Sequence, residues 1–426
     1  MGREAEHVAG IDIGTSTVRV VIGTPSDDGG LDIVGIGKSV SKGLRKGVVV
    51  NLDATVETIR AAVEEAELMA GLPVQEAFLG VAGVHVKGLN SRGVVAVSRK
   101  DQKILKDDVN RVLDAAKSLQ IPRDREILHV LPQDFTVDDQ EGVSDPVGMQ
   151  GARLEANVHV VTAGVTSTQN LITCANRADL EVSAMVLESL ATADAVLTDD
   201  EKELGVALVD VGGGTTDVAV FHEGAIRHVA TLPVGGDHFT NDIAVGLRTP
   251  IPDAEALKRK HGHAVSSLVP EDAVIEVPSV GGRRPRQLSQ QVLAEIIQPR
   301  AEEIFALVRD EIEREGFGKS LNSGVVLCGG AVLMNGLTEI AEQVFELPVR
   351  RAAPAGVGGL ADVVATPAFA TAVGLAVWGW RHGAREGASV ATSGFSFGRL
   401  GGRVREWLTD MFEPASSAAG NRRVSR

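Results

Sequence analysis

Two segments, one in each half of the chain, follow the same plan. Val8 to Gly23 reads as strand, tight turn, strand, with the turn at Asp12-Ile13-Gly14-Thr15-Ser16-Thr17. Leu204 to Phe221 repeats the pattern around Asp210-Val211-Gly212-Gly213-Gly214-Thr215-Thr216-Asp217. Each is followed by a third strand, Leu31 to Gly37 and Ala225 to Leu232, and then by a helix. The first helix has Asn51 or Asp53 as a candidate cap, and Val56, Ile59, Ala62, Val63, Ala66 and Met69 at helical spacing before Gly71. The second is entered through Gly235-Gly236-Asp237 and carries Ile243 and Leu247. A repeat of a whole supersecondary unit implies two related lobes with pseudo-twofold symmetry and a cleft between them. At 426 residues the chain is long enough for both.

The turns suggest what the cleft holds. Consecutive glycines at Gly212, Gly213 and Gly214 let a backbone approach a ligand closely and aim its N–H groups at phosphate oxygens. Thr215 and Thr216 add hydroxyl donors. A carboxylate at the strand end, Asp210, suits magnesium held through water, because that ion keeps most of its hydration. The first turn offers the same parts: Asp12 on the metal side, and Gly14, Thr15, Ser16 and Thr17 for phosphate.

Composition narrows the partners. The formal net charge of -15 provides no chain-wide attraction for nucleic acid, which is set aside as a partner. The 2 cysteines, Cys174 and Cys328, lie far apart beside apolar residues, as reduced buried thiols do. Met1 to His7 is polar and lacks the apolar core of a secretory signal. No apolar run reaches the ~18 residues of a membrane span, and Pro367 to Trp380 reads as a core helix.

The segment from Val84 to Val161 does not fit the repeat. It reads as a small inserted α+β domain with a helix from Lys106 to Leu119. A second insertion, Arg248 to Glu315, is helical at both ends around a basic hairpin-like stretch, Gly281 to Arg286. Beyond Arg381 the chain is rich in Gly, Ala and Ser, as a flexible linker is. Leu400, Val404, Trp407, Leu408, Met411 and Phe412 then fall on one face of a helix flanked by Arg399, Arg403 and Arg405. Such a helix lies in the headgroup plane of an anionic membrane, or else packs back on its own domain. From Arg381 onward the chain has 8 arginines against 4 acids.

The paired turns resemble the phosphate loops of the superfamily of actin, sugar kinases and heat-shock chaperones. Leu327 to Gly336 (LCGGAVLMNG) is similar to its adenosine motif, where an apolar strand enters Gly329-Gly330 and the next helix points its N-terminus at phosphate. The resemblance implies ATP and magnesium as cofactors. It adds Gly235, Gly236, Gly329, Gly330, Ala331 and Asn335 to the nucleotide contacts, with Asp12 and Asp210 at the metal. Asp253 to Lys258 is similar to the segment reaching ribose and base, which implicates Glu255 and Lys258; read alone, these form a solvated helical pair. Glu188 resembles the carboxylate that faces the attacking water, and equally fits a helix-start glutamate favoured by the macrodipole. Slow ATP hydrolysis at most is expected.

Within that superfamily, Ser41 to Val49 (SKGLRKGVV), Ala66 to Gly71 (AELMAG), Pro354 to Leu360 (PAGVGGL) and Pro367 to Leu375 (PAFATAVGL) resemble the FtsA family of bacterial division proteins. The resemblance implies an α/β, actin-like (ribonuclease H-like) two-lobed fold with a nucleotide cleft and a small inserted α+β subdomain. Its expected parts are a first lobe over 1–83, 162–203 and 366–380, and an inserted subdomain over 84–161. A second lobe covers 204–247 and 316–365, with its own insertion at 248–315. A linker at 381–398, a membrane helix at 399–412 and a tail at 413–426 complete it. The function implied is a peripheral protein on the cytoplasmic side of the membrane at the division septum. It forms actin-like filaments with itself, anchors FtsZ through that protein's C-terminal tail, and recruits later division proteins through the inserted subdomain. Arg284, Arg286 and Arg300 would meet the acidic, apolar FtsZ tail beside a helix from Gln287 to Glu313. Leu400, Arg403, Val404, Trp407, Leu408, Met411 and Phe412 would meet anionic lipid. The type IV pilus actin-like scaffold and, more remotely, a sugar kinase share these loops and stand as alternatives.

Overall fold

The computed structural model describes residues 7–27, 29–281 and 284–383. The expected membrane helix at 399–412, the tail after it and all but the first residues of the linker lie outside the described residues.

The chain opens with an antiparallel meander, β1 (Val8–Ile13), β2 (Thr17–Pro25) and β3 (Leu31–Val40). A short hairpin, β4 (Leu44–Arg45) and β5 (Val48–Val49), leads into α1 (Leu52–Ala70). The ends of α1 are set by sequence. The Asn51 side chain accepts the Ala54 amide at 3.1 Å, and Gly71 takes the left-handed conformation, φ 67°, that closes the last turn. β6 (Glu76–Val81) follows. Next come β7 (Lys87–Ala96), α2 (Lys106–Ala116), β8 (Arg125–Val137), β9 (Gln140–Val143) and β10 (Arg153–Gly164). α3 (Val165–Arg177), β11 (Glu181–Leu187) and α4 (Glu188–Val196) complete this half.

After α5 (Asp199–Leu204) the meander recurs as β12 (Val206–Val211), β13 (Thr216–His222) and β14 (Ala225–Leu232). α6 (Gly236–Leu247), α7 (Ile251–His261), the hairpin β15 (Val274–Val277) and β16 (Arg286–Ser289), and the long α8 (Gln290–Arg314) come next. β17 (Val325–Cys328), α9 (Leu337–Phe345), β18 (Val349–Arg351), β19 (Gly358–Gly359), α10 (Ala361–Val364) and α11 (Ala370–Gly383) finish the described chain.

The sheets show how deep the repeat runs. One sheet has the order β11-β6-β1-β2-β3-β19, the other β14-β13-β12-β17-β18. Read from the third meander strand, β3-β2-β1-β6-β11 matches β14-β13-β12-β17-β18. In both, the meander is antiparallel and the two added strands are parallel. β1 is buried at every position, which its apolar run VAGIDI allows only if both faces are covered. Ile11, Ile13, Val20, Ile59 and Leu79 lie in the first core. Val209, Val211, Phe239, Ile297 and Phe305 lie in the second. α11 packs against α4 where Gly374 leaves no room for a side chain beside the Ala191 carbonyl.

Residues 91–119 and 134–158 form a compact unit of their own. In it Val109, Val112, Leu113 and Ala116 of α2 are buried, and Gly93 of β7 permits close approach of the Val112 carbonyl. β9 and α2 belong wholly to this unit, and the sheet to which β9 contributes has the order β7-β10-β8-β9.

The elements differ from sequence expectation in four places. α2 ends at Ala116, short of Leu119. The helix expected over Gln287 to Glu313 begins at Gln290, because Arg286–Ser289 pair as a strand with Val274–Val277 and Ser289 caps the helix. Gly329-Gly330 leads into one 3-10 turn, Ala331–Leu333, and the α-helix starts only at Leu337 after Gly336 at φ 82°. α11 runs through Arg381 and His382 to Gly383, into the stretch read as linker.

Candidate functional site

The repeat places two aspartates in equivalent positions. Asp12 stands opposite Arg19 in the first hairpin, and Asp210 opposite Asp217 in the second, each one step from the turn. All of these strand ends converge on one cleft within the larger unit, residues 7–90, 120–133 and 159–383 among those described. The turns themselves touch. Ser16 Oγ donates to Asp237 Oδ1 at 3.3 Å. A Cβ on Gly213 would overlap the Ser16 hydroxyl, and one on Gly214 would stand 2.9 Å from Thr15 Oγ1. These two positions are glycine because two backbones meet there.

The second turn is tied to the helix behind it. Gly236 N–H donates to the Gly212 carbonyl at 2.9 Å and Asp237 N–H to that of Gly213 at 2.8 Å. Thr216 Oγ1 donates to the Val234 carbonyl at 2.8 Å. Lys258 reaches back from α7 to the Gly236 carbonyl at 2.9 Å and pairs with Glu255 at 2.6 Å. Glu255 accepts Thr240 Oγ1 at 2.5 Å. Burial opposes the Glu255 charge, but Lys258 and Thr240 hold its carboxyl below the usual range. The Glu255–Lys258 pair is thus tied to the turn through Gly236 and Thr240, with Lys258 13% and Glu255 38% exposed. Ala331 Cβ lies 3.5 Å from where a Cβ on Gly236 would be, which brings the Gly329-Gly330-Ala331 turn beside Gly236. Asn335 stands further along, its carbonyl accepting the Ala264 amide at 2.7 Å.

The electrostatics of the floor are unusual. Asp12, Glu188, Asp210 and Asp217 all lie at the cleft base. Burial, then Asp217 and Asp12, push Asp210 up to about 7. Burial raises Asp217 to about 6, against the Thr231 and Thr215 hydroxyls that bond it. Burial and then Asp12, Asp217 and Asp210 carry Glu188 well above the carboxylate range. Burial also raises Asp12, although Arg19 Nη1 lies 3.4 Å from Oδ2. Thr371 Oγ1 donates to Asp210 Oδ2 at 3.2 Å and itself contacts Thr192 Oγ1 at 2.9 Å, linking α11 and α4 to the floor. Glu188 opens α4 and leans over Gly80, where a Cβ would stand 2.9 Å from its Oε1. It borders a small cavity shared with Gly14, Thr15 and Thr215.

Mutually repelling buried carboxylates beneath rows of N–H and hydroxyl donors have the chemistry that a divalent cation carried by a polyphosphate would fit. Among the described residues no three His, Cys, Asp or Glu side chains are close enough to grip a metal directly. The donor set fits an ion reached through its water shell. Sequence reasoning assigned no role to Arg19, Asp217, Asp237 or Thr371. Asp217 and Asp237 were legible beside the glycine runs, whereas Arg19 and Thr371 follow only from register and packing.

Two of the three arginines expected at the second insertion have internal partners. Arg284 is exposed. Arg286 donates to the Leu247 carbonyl. Arg300 makes a fork on Asp242 at 2.7 and 3.1 Å and also pairs with Glu303.

Cys174 and Cys328 are buried free thiols, as expected. Among the described residues no helix is long and apolar enough to cross a membrane.

The family model described as "Cell division protein FtsA" matches residues 207–374, and "SHS2 domain inserted in FTSA" matches residues 83–162. The cell division protein FtsA of Pseudomonas aeruginosa is 50% identical over 395 residues, covering 93% of this chain and 94% of that protein. Among solved structures, a PilM-PilN type IV pilus biogenesis complex superposes with a TM-score of 0.63 at 16% identity, covering 88% of this chain and 99% of that one. MreB5 of Spiroplasma citri bound to ADP superposes with a TM-score of 0.50 at 16% identity, over 82% and 92% of the two chains. These structural likenesses identify the fold as actin-like.

Proposed function

The chain belongs to the FtsA family of cell division proteins, and from that we propose that it is an ATP-binding, actin-like scaffold that polymerises and anchors FtsZ filaments to the cytoplasmic membrane at the division septum, recruiting later division proteins. The observation that carries the reading is similarity to a division protein over 93% of the chain. The paired hairpins support the nucleotide part. Gly14 to Thr17 and Gly212 to Thr216 offer N–H and hydroxyl donors to phosphate, and Asp12 and Asp210 are suited to hold magnesium through water. When bound, magnesium supplies positive charge that offsets both phosphates and floor carboxylates. Gly235, Gly236, Gly329, Gly330, Ala331, Glu255 and Lys258 frame the nucleoside side, with Asn335 behind them. Burial and then Asp12, Asp217 and Asp210 disfavour the charged form of Glu188 that a general base requires, which is in keeping with slow hydrolysis and a structural role.

The FtsZ tail would lie along the second insertion, where Ile251, Val274 and Val292 expose apolar side chains and Arg284 is an exposed charge. Arg286 and Arg300 would shape that surface, since each already has an internal partner. The helix at 399–412, with Leu400, Arg403, Val404, Trp407, Leu408, Met411 and Phe412, would lie on anionic lipid, and filaments would multiply its weak affinity by roughly 10²–10⁴. Co-sedimentation of FtsZ with anionic vesicles and ATP tests the reading. FtsZ should pellet with the full-length protein and stay in the supernatant with a version ending at Gly394. If FtsZ stays behind while the full-length protein pellets, the membrane helix survives and the FtsZ anchor does not. If neither pellets, both are wrong.

A further inference from the structure

The hairpin β4–β5 is closed by the two residues Lys46-Gly47, with Leu44 opposite Val49 and Arg45 opposite Val48. Both turn residues have positive φ, 52° at Lys46 and 74° at Gly47. That is the type I′ geometry, whose first position favours Asn, Asp or Gly. A lysine there is held in the left-handed region against its steric preference. The simplest turn chemistry is thus passed over in favour of a cation.

The position of this turn supplies a reason. Its tip is wedged between the two phosphate loops. Gly47 N–H donates to Thr15 Oγ1 of the first loop at 3.4 Å. The Lys46 amide nitrogen lies 3.2 Å from the place a Cβ on Gly214, in the second loop, would take. Behind it, the Lys46 carbonyl is 3.1 Å from the Cβ direction of Gly83. Lys46 is half-buried and makes no ion pair among the described residues. Two other cations of the cleft are committed: Arg19 stands 3.4 Å from Asp12, and Lys258 2.6 Å from Glu255. Neither phosphate loop itself carries a positive side chain, whereas Lys46 is a cation whose turn lies against both loops, beside a floor of four carboxylates.

We infer that Lys46 contacts the terminal phosphate of a bound nucleoside triphosphate, so that the β4–β5 hairpin distinguishes triphosphate from diphosphate; this rests on the nucleotide-clamp reading above. The hairpin is also joined to α1. The amides of Val50 and Asn51 donate to the Gly43 carbonyl at 2.8 and 3.1 Å, and Asn51 caps the helix. A pull on Lys46 therefore bears directly on the start of α1.

The test is calorimetric titration of the full-length chain with Mg-ATP and Mg-ADP, for the wild type, Lys46→Asn and Lys46→Arg, with thermal midpoints measured without nucleotide. Asparagine suits the turn better, so Lys46→Asn should raise the thermal midpoint. It should weaken Mg-ATP by roughly 10- to 100-fold, the worth of one charge-assisted contact, and Mg-ADP by less than about threefold. Lys46→Arg should keep the preference for Mg-ATP. Unchanged ATP affinity in Lys46→Asn overturns the inference, and so does an equal loss for both nucleotides, which would make the hairpin a structural prop only. A wild type that binds neither nucleotide would sink the clamp reading itself, and is told apart because it requires no variant.

Discussion

Replacing Asp210 by asparagine is expected to make the nucleotide-free protein more stable and its hold on nucleotide weaker. Asp210 is pushed up to about 7 by burial and by its acidic neighbours, against an ordinary value of 3.8. A group raised in the folded state favours folding while it is protonated. Its contribution is fully present below the unfolded pKa and is lost as pH rises through the folded one. At about 1.4 kcal/mol per pH unit, the loss reaches about 2 kcal/mol at pH 5 and about 4 kcal/mol at pH 8. Asparagine keeps the shape and can still accept the Thr371 hydroxyl, which lies 3.2 Å away, but never ionises. Urea unfolding of both proteins at pH 5 and pH 8, without nucleotide, measures the difference. The variant should be more stable at both, with a gap wider by about 2 kcal/mol at the higher pH. A gap that stays constant or closes, or a variant less stable than wild type at pH 8, would refute the reasoning, because strain in the floor would then not be electrostatic.

Gly213→Ala puts a methyl into the space of the Ser16 hydroxyl. It should destabilise the chain by about 1–3 kcal/mol, as overpacking does, and lower ATP affinity in the same titration. Arg300→Ala breaks a fork on Asp242 whose partners are 26% and 31% exposed, so thermal unfolding should show a loss of no more than about 1 kcal/mol. Binding of an acidic FtsZ-tail peptide, followed by fluorescence anisotropy, should suffer less from Arg300→Ala than from Arg284→Ala, because Arg300 already has an internal partner.

The repeat was legible in the sequence because a strand, a glycine turn and a hydroxyl pair are local features. Asp12 and Asp210, Asn51 as a cap and Gly71 as a stop needed no tertiary knowledge. The matching order of the two sheets was implied by the repeat, but the parallel strands β6, β11, β17 and β18 add themselves through crossovers that no local pattern specifies. The 3-10 turn after Gly330 replaced an expected helix because Gly336, at φ 82°, restarts the backbone there. The strand at Arg286–Ser289 looked helical because its pairing partner lies across a loop. The hidden members of the site share one property. Arg19 and Thr371 acquire meaning only from a cross-strand register and a helix packed over the floor, and Lys46 only from the loops that enclose its turn.

The most direct test of the nucleotide clamp is calorimetric titration of ATP into the full-length wild type and Asp210→Asn, with magnesium and again with EDTA. The account predicts tight binding to the wild type with magnesium, much weaker binding with EDTA, and little difference between the two conditions in Asp210→Asn. Equal affinity in magnesium and EDTA for the wild type, or no ATP binding at all, would contradict it.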